Sequence, residues 1–414
     1  MKHNYTKKKY KKSHLEKNNK NTNDNINNSG FIFNSSIKDE EINPKWINQE
    51  TNNIQDINKR FHKEILDYVD YITPKNNSLT ERYQTFELFK KVVQKYRPDW
   101  KVILFGSFSQ NISTIYSDLD FLILYEKKNS SHEYELKEMY NLMNFLKNEE
   151  YSNNLRLAKA KVPVLRGTCS TTGINVDISM NRENGHQAIE AIQKVLQKYK
   201  ILRPSIIILK ILLKKFNLND PHSGGMNSYL LFHLVYFYFI QKLNEKNIGD
   251  NIDLNNYYKK ENNYNLDNEK FINREENTPK KEDSDEDNND ESKNKQNIFI
   301  NNKKDFNINY EMNIGNFIIL FLKFYGYEFD YKKYGLSLNG NNCGTYYIKN
   351  ERKDMKCSHT ISAESIIERG KDVGENCYNY PIIIKLFKSA YNLIKSEKEK
   401  NICSILQSLG FPSI

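Results

Sequence analysis

The chain has 414 residues, 38% of them hydrophobic, with 62 Lys and Arg against 52 Asp and Glu and a net charge of +10. That length allows two or three domains, and the basic excess favours polyanions such as nucleic acid or an acidic membrane surface. The longest apolar run, 229–240, is too short to span a bilayer, the N-terminus lacks a signal-peptide core, and the five cysteines form no CxxC pair, so a soluble protein in a reducing compartment is expected.

Residues 1–54 are rich in Asn and Lys, with eight Lys and one Glu in the first twenty. They carry no helix or strand period and read as a disordered basic tail. Its Lys7–Lys9 and Lys11–Lys12 clusters fit a nuclear import signal, an RNA-binding arm or a solvated tail equally well. From 57 to 72 the residues Phe61, Ile65, Leu66, Val69 and Ile72 recur at helical spacing. A second helix runs from about 79 to 96 and stops before Arg97-Pro98, because the residue preceding a proline avoids the helical region.

Strands follow at 101–105 and 119–125, joined through Gly106-Ser107. A polar helix is expected over 131–147. Further strands fall at 155–160, 162–166 and 174–180, with a turn at Thr171-Thr172-Gly173. From 184 the period turns helical: 186–199, 203–216 with Pro204 near its start, and 227–243 after Gly224-Gly225. Residues 244–308 break the pattern, and 282–291 hold seven acids and no base, as expected of an acidic surface insertion. Helices resume at 313–325, 380–396 and 399–409.

The chemistry concentrates around the Gly-Ser turn. Asp118 and Asp120 are spaced by one residue at the start of a strand, so they project from the same face. Two carboxylates held this close repel unless a cation neutralises them, and a hard dication such as Mg²⁺ is the natural partner. A third acid, Asp177, sits in an apolar strand, where a lone carboxylate is costly without a partner. Gly106 permits close backbone approach, and Ser107 with the following N–H groups can cradle phosphate oxygens. Lys210 lies on an apolar helical stretch with Lys214 one turn further on; packed lysines that reach out to solvent are the plain alternative. Tyr229, one of 28 tyrosines, offers a ring for base stacking, although a core role is the default for any one of them.

At these residues the chain resembles the DNA polymerase β-like nucleotidyltransferase superfamily, whose pattern is Gly-Ser, an acid pair spaced by one, then a third acid. Val162-Pro163-Val164 and Thr172-Gly173-Ile174-Asn175-Val176-Asp177-Ile178-Ser179 are similar to blocks of nuclear RNA-surveillance poly(A) polymerases, those of the TRAMP complex. So are Asn184-Gly185, Leu202-Arg203-Pro204, Leu209-Lys210, the block 223–229, Asn313-Ile314-Gly315, Tyr325-Gly326 and Asp372-Val373-Gly374. The base-recognition segment departs from the family: Glu364-Ser365 stand where Asp-Pro is usual, and Lys371 and Glu375 where Asn and Arg are usual.

The resemblance implies an α+β fold: a polymerase β-like palm, a mixed sheet with helices, packed on a helical central domain. It divides the chain into the tail 1–54, an N-terminal helix 55–78 packing on the central domain, a catalytic palm 79–182, a central domain 183–243 and 309–410, and the insertion 244–308. Asp118, Asp120 and Asp177 would hold Mg²⁺, or Mn²⁺ in its place, and act as the catalytic acids. Gly106, Ser107, Asn184, Lys210, Lys214, Ser228, Tyr229 and Asp372 would bind the nucleotide. The implied activity is template-independent addition of AMP from ATP to RNA 3′ ends, in the nucleus or alternatively the cytoplasm. The implied partners are a zinc-knuckle RNA-binding protein and an RNA helicase, with no membrane. The rivals are a uridylyltransferase of the same superfamily, a catalytically silent RNA-binding scaffold and a small-molecule nucleotidyltransferase.

Overall fold

The computed structural model describes residues 26–27, 30–31, 33, 44–125, 132–158, 163–180, 185–247, 313–340 and 343–413. The tail expected to be disordered over 1–54 is structured from residue 44. From Pro44 the chain is placed: a short helix α1 spans Gln49–Asn52, and Trp46 is buried. The indole packs edge-on against Tyr68 at 4.8 Å and donates from Nε1 to Glu64. A single aromatic anchors this segment, which the surrounding polar composition conceals. A two-residue pairing of β1 (Ile26–Asn27) with β2 (Gly30–Phe31) lies further upstream, with Phe31 against Phe216. The lysine clusters and the acidic run at 282–291 fall outside the described residues.

Helix α2 (Ile57–Ile72) starts where Asp56 accepts from the Asn58 and Lys59 amides, and it buries Phe61, Ile65, Tyr68, Val69 and Ile72. Helix α3 (Asn76–Tyr96) ends at Arg97, extended before Pro98 as expected. Strand β3 (Lys101–Phe105) then runs into a single helical turn, α4 (Gly106–Ser109), and β4 (Leu119–Leu124) returns beside it. After α5 (His132–Asn148) come β5 (Arg156–Ala158), β6 (Val164–Thr168) and β7 (Asn175–Met180).

These five strands form one mixed sheet in the order β3-β4-β7-β6-β5. Only β4 and β7 pair in parallel. Alternation sends Leu119, Phe121, Ile123, Val176 and Ile178 into the core against α3 and α5. There Phe121 stacks on Phe89 at 4.6 Å. Asp120 and Asp177 are carried on the opposite face by the same alternation.

The helical half comprises α6 (Gly185–Lys198), α7 (Leu202–Lys215), α8 (Ser228–Asn247), α9 (Ile314–Lys323), α10 (Tyr380–Glu399) and α11 (Ile405–Ser408). Helix α2 packs on α7 and α9. Glu64 of α2, buried, caps α11 by accepting from the Ile405 and Leu406 amides. The helix expected over 399–409 shortens to α11, because α10 continues to Glu399 and a tight connection follows.

A three-stranded sheet was not expected in this half. It has the order β10 (Ala363–Glu364), β8 (Tyr334–Ser337) and β9 (Thr345–Ile348). Strands of two to four residues are too short to display a period of two. Among the described residues no helix is long and apolar enough to cross a membrane.

Candidate active site

Backbone pairing gathers the site. Phe105 pairs with Asp120, Asp120 with Asp177, and Asp177 with Arg166 on the next strand. Paired residues on neighbouring strands project from the same face, so Asp120, Asp177 and Arg166 form a row. Gly106 adopts φ +62°, and a Cβ there would overlap the Asp120 carboxylate. The Ser107 amide donates to that carboxylate. Only glycine combines this backbone conformation with this close approach.

The electrostatics are those of crowded carboxylates. Burial, then the neighbouring Asp177, pushes Asp120 up to about 7, against the pull of Lys210. Burial pushes Asp177 up to about 6, with Asp118 and Asp220 adding to the rise and Arg166 opposing it. Lys210 is driven down to about 8 by burial, although the Asp120 carboxylate favours its charge. Arg166 Nε lies 3.2 Å from Asp177 Oδ2, and its Nη2 reaches towards Asp220 at 4.0 Å.

Asp118 is exposed, at the end of a loop that three cations hold. Arg82 of α3, almost fully buried, donates to the carbonyls of Thr114, Ile115 and Ser117. Lys210 donates to Ser117 Oγ at 3.2 Å, and Lys214 to the Tyr116 carbonyl at 2.6 Å. Both lysines therefore hold the loop that precedes Asp118. Neither Arg82 nor Arg166 was singled out in the sequence, where an arginine on a polar helix or a short strand looks like a solvated side chain. Asp118, Asp177, Arg156, Arg166, Lys214 and Asp220 are among the residues lining a cleft of about 540 Å³.

The donor set suits a hard divalent cation. It offers carboxylate oxygens, and burial raises two of the acids, Asp120 to about 7 and Asp177 to about 6, so their charged forms lack compensation. Among the described residues no three such side chains converge on one point. Asp177 pairs with Arg166, and Asp118 is exposed at the cleft that both acids line.

Of the remaining expected residues, Ser228 and Tyr229 belong to the helical half. Ser228 opens α8, which is capped by Asn227. The Tyr229 hydroxyl meets Ser365 Oγ at 3.1 Å. One turn on, His233 joins the same loop: Nε2 accepts from the Ile366 amide, leaving Nδ1–H to donate to the Tyr229 carbonyl. His233 is fully buried, and burial drives its pKa down to about 4. Its interruption of an apolar run was visible in the sequence, but not its partner.

Asp372 is placed differently from expectation. Its carboxylate accepts from the amides of Ser358, Ala363 and Gly374 and from Ser362 Oγ. It ties the loop internally. Glu364 is likewise engaged, by Ser337, Arg352 and the Gly370 amide. Asn184 lies outside the described residues.

A mixed sheet carries the three acids beside the Gly-Ser turn, with the helical half across the cleft. Residues 61–197 match the central palm domain of mitochondrial-like poly(A) RNA polymerase, and 313–365 match the Cid1 family poly A polymerase model. The chain is 30% identical over 184 residues to poly(A) RNA polymerase cid14 of Schizosaccharomyces pombe, covering 44% of this chain and 26% of that one. It is 30% identical over 193 residues to poly(A) RNA polymerase protein 2 of Saccharomyces cerevisiae, covering 46% and 32%. These matches thus span about a quarter to a third of each relative.

A Drosophila melanogaster relative, 28% identical over 190 residues and covering 44% of each chain, is described as an inactive non-canonical poly(A) RNA polymerase. In fold the chain is similar to the polymerase core of TRAMP, a RNA surveillance complex, with a TM-score of 0.64 at 21% identity over 89% of this chain and 97% of that one. The Cid1 poly(U) polymerase gives 0.57 at 16% identity over 82% and 94%. Two separate stretches of the chain, 61–197 and 313–365, are thus similar to poly(A) RNA polymerase domains, and the fold is similar to that of the TRAMP polymerase core.

Proposed function

We propose that the chain is a template-independent RNA adenylyltransferase that transfers AMP from ATP to RNA 3′ ends. The observation that carries this reading is the register that sets Asp120 beside Asp177 and against Gly106. It supports a site where a triphosphate and a cation meet. Asp118, Asp120 and Asp177 are the proposed ligands of Mg²⁺, with Mn²⁺ able to replace it. When bound, the cation supplies charge neutralisation for the phosphoryl transfer.

The chain's own residues do the rest. Gly106 keeps the turn close to Asp120. Lys210 and Lys214 fix the loop before Asp118 and add positive charge beside the phosphates. Asp177, raised to about 6 and so mostly ionised at neutral pH, is suited to receive the proton of the attacking hydroxyl. Tyr229 would stack on the base, held at its hydroxyl by Ser365. Asn184 is proposed to touch the ribose.

The domain division proposed is the palm at 79–182 and the central domain at 183–243 and 309–410. A nuclear RNA-surveillance role, with a zinc-knuckle protein and a helicase as partners, is proposed from the similarity to TRAMP-type polymerases.

The test is extension of an unstructured RNA with each nucleoside triphosphate in separate reactions. ATP is expected to be incorporated best. Faster incorporation of UTP would replace adenylyl by uridylyl transfer, the reading that the altered segment 364–375 keeps in view.

A further inference from the structure

The row of paired residues does not stop at Arg166. On the edge strand, Arg156 is directly opposite Arg166. A single line therefore crosses all five strands: Phe105, Asp120, Asp177, Arg166, Arg156. It begins at the Gly106-Ser107 turn and ends on two guanidinium groups. Like charges directly opposite on neighbouring strands destabilise a sheet unless something lies between or above them. Arg166 is partly neutralised by Asp177. Arg156 is exposed, makes no ion pair among the described residues, and lines the same cleft.

We infer that Arg156 and Arg166 form a clamp for the phosphodiester backbone of the RNA strand being extended. This rests on the proposed adenylyl transfer. In-line displacement puts the attacking oxygen and the leaving group on opposite sides of the reacting phosphorus. The triphosphate belongs at the Gly106-Ser107 end of the row, so the strand bearing the 3′-hydroxyl enters from the other end. Neighbouring strands lie about 4.8 Å apart, which puts the Arg156 backbone roughly 10 Å beyond Asp177. That suits phosphates just upstream of the terminal nucleotide. Guanidinium groups match phosphate with two parallel hydrogen bonds, and a contact of this kind carries no base information. The cleft floor beside them is fixed by Asn154, which accepts from the Thr168 amide, and by Thr168, which donates to Asn175.

The experiment uses the full chain without nucleotide, so that no RNA is extended. Binding of a labelled, unstructured oligoribonucleotide is titrated against salt for the parent, Arg156→Gln and Arg156→Lys. ATP binding is measured in parallel. Arg156→Gln is expected to weaken RNA binding roughly three- to tenfold and to flatten the salt slope by about 0.7 per lost phosphate contact. ATP affinity should hold, and Arg156→Lys should recover most of the slope. Arg156 is exposed on an edge strand, so the fold should survive. Unchanged RNA affinity and slope in Arg156→Gln, with the parent binding RNA, would overturn the clamp alone. Loss of ATP affinity in place of RNA affinity would assign the arginine to the triphosphate and overturn it too. A parent that binds no RNA would remove the proposed function together with the clamp.

Discussion

Gly106 and Asp120 occupy one space: the carboxylate of Asp120 fills the position that a Cβ on Gly106 would take. The turn proposed to hold phosphate and the acid proposed to hold a cation are thereby locked together. Gly106→Ala should displace the carboxylate by about an ångström and cut tailing on the order of 100-fold. Strain at φ +62° should cost about 1–3 kcal/mol of stability. Tailing rates and a denaturant melt check both, and a fully active variant would refute the coupling.

Asp120 and Asp177 give the site a pH dependence. Their raised values, about 7 and about 6, mean that protons compete with a cation. Both groups favour the protonated form in the fold. Their contribution to stability is therefore fully present below the ordinary carboxylate pKa and is lost as pH rises to about 7, unless a cation takes the proton's place. Mn²⁺ or Mg²⁺ should bind more tightly, and raise Tm more, at pH 7.5 than at pH 5.5. Titration of metal at the two pH values measures this. Equal affinity would contradict the assignment.

Arg82 is predicted to position Asp118. Its three carbonyl partners span 114–117, the loop that delivers Asp118 to the sheet. Arg82→Met should cost roughly 3 kcal/mol, since buried carbonyls lose charged donors. It should lower kcat more than it raises KM for ATP. A variant that loses stability but keeps kcat would reduce Arg82 to a purely structural role.

His233 links α8 to the loop facing Tyr229. His233→Ala strands the part-buried Ile366 amide and leaves a cavity in α8, and should cost about 2–4 kcal/mol. The sign of the pH effect follows from its depressed pKa. The neutral imidazole contributes stability above pH 6.5, and that contribution fades as pH falls towards 4. The gap in Tm between parent and variant should therefore narrow from pH 7 to pH 4.5. A constant gap would mean that His233 does not titrate as described.

Much of the palm was legible in the sequence. Strand β3 falls where 101–105 was expected, and β4 ends one residue before the expected 125. Apolar alternation ending in Gly-Ser and Asp-Leu-Asp leaves little freedom there. The acids were legible because a carboxylate in an apolar strand demands a partner. The arginines were not, since their meaning comes from pairing between strands that are distant in sequence. Arg166 acquires a role only when β6 is laid beside β7. Trp46 was hidden for a different reason: one anchoring aromatic in an Asn- and Lys-rich segment has no period. The loop around Asp372 invited a nucleotide contact by its similarity, whereas its own backbone amides occupy the carboxylate.

The central claim is that this acid-bearing sheet transfers adenylate to RNA, and the most direct measurement is ATP-dependent extension of an unstructured RNA by the parent chain and by Asp118→Ala with Asp120→Ala. The account predicts extension by the parent and none by the double variant, with the variant's circular dichroism and melting transition retained. Extension that persists in the folded double variant would contradict it.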